Sequence, residues 1–223
     1  MAQAIPMPSA PTRLRACVAL TLLSTPILVH AQSTHLAPPV QVALGGGFLT
    51  SGAYFTGPGS LEFANGKAFV GALQVSVALH RTLAVVLAAA HARPEWQLTG
   101  VPLIGAVSLP GGRLWFADAA LRGRVPLGAA LRAPVVFAQV GAGFAHYALA
   151  GSLLGIAVDE QATNLALALG AGFELPLTRR LGLETMAKDY IASFKSVRDL
   201  VAFGVEGRRA HTVLLLVSAR FGL

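Results

Sequence analysis

From Thr212 to Leu223 the chain alternates without a break. Val213, Leu215, Val217, Ala219, Phe221 and Leu223 fall on one face, and Thr212, Leu214, Leu216, Ser218, Arg220 and Gly222 on the other. Side chains of an extended strand point to opposite sides at successive residues. One face therefore has no polar side-chain atom, while the other carries a cation. Such a strand needs hydrocarbon on one side and a packed or polar interior on the other. In hydrocarbon every backbone N–H and C=O must be paired within the protein, so strands cross a bilayer only in a closed barrel.

The same phase recurs in two more segments. Leu165, Leu167, Leu169, Ala171, Phe173 and Leu175 oppose Asn164, Ala166, Ala168, Gly170, Gly172 and Glu174, while Phe69, Gly71, Leu73, Val75, Val77 and Leu79 oppose Gln74 and Ser76. Barrel strands need about 9 to 11 residues each. Period two over that length predicts eight: Pro39 to Thr50, Ala68 to Leu79, Leu83 to Glu95, Arg113 to Val125, Pro134 to Tyr147, Thr163 to Leu175, Leu181 to Ser193 and His211 to Leu223. The links alternate between short (His80 to Thr82, Pro126 to Ala133, Pro176 to Arg180) and long (Ser51 to Lys67, Trp96 to Gly112, Ala148 to Ala162, Phe194 to Ala210). Tight periplasmic turns and longer external loops alternate in this way in outer-membrane barrels. The expected fold is all-β, an eight-stranded antiparallel transmembrane up-and-down β-barrel with both termini periplasmic.

Composition suits this solvent. The chain is 54% apolar and 12% charged, about half the charged fraction of a soluble domain. A helical membrane protein rests its case on Ala133 to Val158, which is uncharged over a bilayer-spanning length, but Pro134, Gln139, His146, Tyr147 and four glycines interrupt it. A soluble lipocalin-like periplasmic barrel is a further alternative, and it inverts every in/out assignment above.

The first 31 residues read as a secretory signal. Arg13 and Arg15 precede the mostly apolar Ala16 to Val29, and Val29-His30-Ala31 supplies small residues for cleavage after Ala31. A lipoprotein cleaved before Cys17 is disfavoured by Arg15 inside its box. The barrel domain then spans 32–223, a stretch without cysteine and hence without disulfides. Its charge, 15 Lys and Arg against 10 Asp and Glu once Arg13 and Arg15 are gone, is too modest and scattered for nucleic acid.

A charge facing lipid near the midplane costs on the order of 2 to 4 kcal/mol, so the phase is chosen to turn charges inward. It then gathers His91 and Arg93; Asp118, Arg122 and Arg124; Glu174; Glu184 and Lys188; and Arg220. These are expected to form a charged network that plugs the lumen, each buried charge having a partner. Ala166, Ala168, Gly170, Gly172, Gly141 and Gly143 leave room for the long inner side chains. A narrow pore is the alternative for this interior. The aromatics map to strand ends: Tyr54, Phe69, Trp96, Trp115, Phe144, Tyr147, Tyr190 and Phe194 to the external ends, Phe137, Phe173 and Phe221 to the periplasmic ends. Interfacial girdles are the expectation.

With these features the chain resembles the small outer-membrane barrels of the OmpA/OmpX type, the outer membrane protein beta-barrel domain group, over its whole mature length. The closing strand, Val213 to Leu223, resembles the C-terminal signal read by the barrel-insertion machinery; Phe221 and Leu223, in one phase, occupy the signal positions. The resemblance implies outer-membrane lipids and lipopolysaccharide as neighbours and a structural or surface-interaction role. The alternative it carries is a lipid-active enzyme. His146-Tyr147-Ala148 resembles the His-Tyr-Ser stretch of lipid A deacylase barrels, but the serine position is Ala148, and without a nucleophile that chemistry fails.

No catalytic residue is therefore expected. Nor is a metal site or cofactor, since the six histidines, His30, His35, His80, His91, His146 and His211, show no ligand spacing. Gly141-Ala142-Gly143 and Gly170-Ala171-Gly172 match only a fragment of a dinucleotide fingerprint. A monomer is expected. The last long link carries Arg198, Arg208 and Arg209 beside apolar residues, a basic cluster suited to lipopolysaccharide headgroups or an external partner.

Overall fold

A computed structural model describes residues 40–57, 61–101, 105–109, 111–130, 132–153, 156–193 and 206–223. The segment 1–31 expected to be a signal, Phe194 and Arg198 lie outside these residues. Thirteen strands occur among them: β1 (Val40–Ser51), β2 (Ala53–Gly57), β3 (Leu61–Asn65), β4 (Ala68–His80), β5 (Leu83–Ala92), β6 (Trp96–Val101), β7 (Gly105–Leu109), β8 (Gly112–Pro126), β9 (Val135–Leu153), β10 (Ile156–Pro176), β11 (Leu181–Ser193), β12 (Glu206–Gly207) and β13 (Arg209–Gly222). Eight close into a barrel in the order β1-β13-β11-β10-β9-β8-β5-β4, antiparallel at every step.

Closure is made by the first and last strands, with Gln41 opposite Gly222 and Thr50 opposite Val213. A sheet closed on itself leaves no edge to satisfy, which is what hydrocarbon demands. The outside is apolar: Leu165 is 75% exposed, Phe48 and Phe69 67% each, and Leu44, Leu87, Leu215 and Val217 are exposed as well. Inside, Gln41, Gln74, Asp118, Arg122, Glu174, Glu184, Lys188, Ser218 and Arg220 are buried. This is a transmembrane β-barrel with its polar side inward; the lipocalin-like alternative requires the reverse.

The long links differ from simple loops. β2, β3, β6, β7 and β12 form a second, five-stranded sheet in the order β12-β2-β3-β6-β7. The link 148–162 is largely the extension of the β9–β10 hairpin, whose pairing continues from Tyr147 opposite Ala162 to Leu153 opposite Ile156. Both departures have one cause: backbone groups that leave the barrel still need partners, and neighbouring links are close enough to supply them.

Candidate functional site

The lumen is filled in two tiers. The lower tier, nearer the short turns, is built on Arg122 of β8. Its Nε donates to Gln139 Oε1 at 2.9 Å, one terminal nitrogen donates to Glu184 Oε2 at 2.8 Å and Glu174 Oε1 at 3.2 Å, and the other donates to Gln74 Oε1 at 2.9 Å and Glu184 Oε1 at 3.2 Å. Gln74 closes the ring by donating from Nε2 to Glu184 Oε1 at 3.1 Å. One guanidinium thus joins β4, β9, β10 and β11 across the barrel, using its fixed fork of donors. The Phe137 ring lies 4.0 Å from the guanidinium carbon and adds a cation–π contact.

Glu174 carries the tier further toward the short-turn end, pairing with Arg122, Arg124 and Arg220. Arg220 also donates to Gln41 Oε1 at 3.1 Å. Glycine makes the space: a Cβ on Gly172 would come within 2.7 Å of the Phe137 ring, and Phe137 is the floor under Arg122.

Above this, Lys188 Nζ and Tyr190 Oη both donate to Asp118 Oδ2 at 2.6 Å. Tyr190 stacks on Phe116 with centroids 4.5 Å apart, and Phe116 meets Tyr147 edge to face at 6.4 Å. Tyr147 meets Tyr54 at 5.3 Å, and Tyr54 meets Trp96 at 5.8 Å. Tyr54 and Trp96 belong to the second sheet, so the upper tier is completed by residues from outside the barrel. Tyr54 is fully buried. Its hydroxyl accepts from Asn65 Nδ2 at 2.6 Å and shares a hydrogen bond with Thr212 Oγ1 at 3.0 Å. Burial pushes that hydroxyl above its ordinary pKa, which keeps it a neutral donor.

The structure brings together Asp118, Arg122, Arg124, Glu174, Glu184, Lys188 and Arg220, all named from the sequence. Four cations meet three carboxylates, and each charge has an opposite partner. Arg93 is a correction. It is exposed, and His91 is half-buried on the outer wall, stacked on the exposed Trp115 at 4.1 Å. Both faces of β5 are apolar below this point, so only the charge rule set its phase; Arg93 lies beyond the barrel strand's last residue, Ala92, above the band where lipid penalises charge.

The girdle expectation holds for some aromatics and fails for others. Phe69, Trp115 and Phe144 toward one end and Phe173 and Phe221 toward the other are exposed on the wall, but Tyr54, Trp96, Tyr147 and Tyr190 are buried in the lumen, as is Phe137 near the short-turn end. Sequence reasoning missed this aromatic tier. Tyr and Trp are at home in either place because each has an apolar body and a polar tip.

Phe221 is 46% and Leu223 75% exposed, both on the lipid side. Arg208 and Arg209 are exposed, and the Arg208 N–H donates to the Tyr54 carbonyl at 2.9 Å. His146 holds Thr163 on the outer wall, Nδ1 to Oγ1 at 2.8 Å. Among the described residues no three His, Cys, Asp or Glu side chains gather as a metal site.

Solved structures of outer-membrane barrels are similar in fold, two among them as follows. Neisserial surface protein A (NspA) superposes with a TM-score of 0.53 at 13% identity, covering 83% of this chain and 97% of that one. The outer membrane protein OprG from Pseudomonas aeruginosa superposes with a TM-score of 0.54 at 13% identity, covering 83% and 98%. No protein-family model and no curated protein matches the sequence. The chain has the fold of the small outer-membrane β-barrels.

Proposed function

We propose that this chain is exported behind the signal 1–31, enters a bacterial outer membrane through its closing strand, and serves there as a sealed barrel. Its termini are periplasmic, and its role is structural or one of surface interaction. The observation that carries the reading is the filled lumen. A guanidinium bonded to four strands and an aromatic tier above it occupy the path a solute would take. Eight strands enclose an interior that side chains can just fill, so what the barrel offers its surroundings is its wall and its external sheet.

No catalysis is assigned to the barrel. Position 148, which follows the His146-Tyr147 pair, is an alanine, and His146 is engaged with Thr163. Phe221 and Leu223, exposed in one phase, fit the insertion signal. Arg198, Arg208 and Arg209 are assigned to lipopolysaccharide or an external partner; replacing them with glutamine is expected to lower lipopolysaccharide retention, and unchanged retention removes that assignment.

Fractionation tests the reading as a whole. The protein is expected in the outer-membrane fraction, with a band whose gel mobility changes on boiling, as closed barrels show when they open. Recovery in the soluble periplasm contradicts it.

A further inference from the structure

On the wall formed by β5, β8 and β9 the apolar band ends in an unusual way. Outward pairs run Leu87 with Ala119, Ala89 with Ala117, then His91 with Trp115, and Trp115 in turn faces His146. The last barrel pair of β5 and β8 is Ala92 with Leu114, and Arg93 and Arg113 stand one residue beyond it on either strand. The two backbones stay side by side through this step, because a Cβ on Gly112 would sit 2.6 Å from the Pro94 carbonyl oxygen. Alternation puts Arg93 on the face of His91 and Arg113 on the face of Trp115, and both arginines are exposed.

Like charges on adjacent strands repel. Among the described residues neither arginine forms an ion pair; Glu95, two residues on from Arg93, is exposed and bridges to neither. Height matters as well. Trp115 and Val125 are ten residues apart on β8, about 33 Å of strand, or about 25 Å of height at the usual tilt, the thickness of a barrel's apolar band. Trp115 therefore stands where acyl chains give way to headgroups, and Arg93 and Arg113 stand one step above, at the depth of phosphate.

We propose that Arg93 and Arg113, above the His91–Trp115 stack, seat a phosphate-bearing lipid headgroup of the outer leaflet, with bisphosphorylated lipid A as the occupant. Guanidinium groups match phosphate oxygens two at a time, and two side by side call for more than one negative charge. A zwitterionic headgroup brings a cation that they repel. The stacked rings offer a flat surface to the sugar or glycerol, and the acyl chains run down the wall of Leu87, Ala89, Ala117 and Ala119. This inference rests on the outer-membrane reading above and adds a site on the opposite strands from Arg208 and Arg209.

The test uses the full chain refolded in detergent micelles and titrated with diphosphoryl lipid A, with bound lipid counted by native mass spectrometry. The double variant R93Q/R113Q is expected to bind at least about tenfold more weakly than the wild type. R179Q/R180Q, at a periplasmic turn, is expected to be unchanged, and R93K/R113K is expected to fall between. In the wild type, monophosphoryl lipid A is expected to bind more weakly than diphosphoryl. Heat-modifiable migration of every variant shows whether its barrel has closed. Equal retention by wild type and R93Q/R113Q overturns the site, as does equal retention of phosphatidylcholine. Displacement of lipid A by inorganic phosphate at equal concentration would show a free-phosphate site and overturn the lipid assignment. Each of these results can arise in a protein that fractionates with the outer membrane, so the site can fail while the barrel's placement stands.

Discussion

The two tiers of the lumen fill the same kind of space by opposite means. The lower is a lattice of charge and amide in which Arg122 and Glu174 are hubs and every member comes from a barrel strand. The upper is a stack of rings, Tyr190, Phe116, Tyr147, Tyr54 and Trp96, two of which are lent by the second sheet. A barrel of eight strands dictates that the interior be filled, but not with what. Where only strands are available, long polar side chains reach across and must satisfy one another. Where links fold back over the mouth, apolar area and ring contacts do the work. The lower tier therefore depends on pairing, and the upper on docking.

That contrast orders the effects of substitution. Arg122→Met should cost most, about 3 to 5 kcal/mol, because it strands Glu184 and parts of Glu174, Gln74 and Gln139 in a site that water does not reach. Urea unfolding in lipid measures it. Adding Glu184→Gln should recover part of the loss, since the second change removes the charge left unpaired; strict additivity would break the lattice description. Phe116→Ala should cost about 3 kcal/mol by opening a cavity between Tyr147 and Tyr190. Its effect should add independently to that of Arg122→Met, and strong coupling would mean that the tiers are one unit. The smallest effect falls at their junction. Tyr190→Phe removes one of the two donors to Asp118 Oδ2 and keeps the ring stack, a loss of about 1 to 2 kcal/mol. A larger loss would place the junction with the lattice.

The charged residues of the lumen were legible in the sequence and the aromatic tier was not, for physical reasons. Period two fixed the strands, and the cost of charge in lipid fixed their phase. Asp118, Arg122, Glu174, Glu184, Lys188 and Arg220 followed from those two rules alone. Which of them pair does not follow, because partners across a barrel depend on its stagger and not on sequence distance: Arg122 and Glu184 are 62 residues apart. Arg93 escaped the rule because the penalty vanishes above the band, so its charge carried no information about facing. Tyr54 and Trp96 were unreadable for a different reason. They sit on β2 and β6, strands of five and six residues among glycine and proline, too short for alternation to show, and their inward turn depends on the link meeting the barrel mouth.

The central claim is that both tiers together close the lumen, and single-channel recording of the purified barrel in a planar bilayer tests it most directly. A sealed lumen predicts a flat baseline in the wild type, with steps appearing only when Arg122 and its partners and the rings above them are removed together. Reproducible conductance steps in the wild type would contradict it.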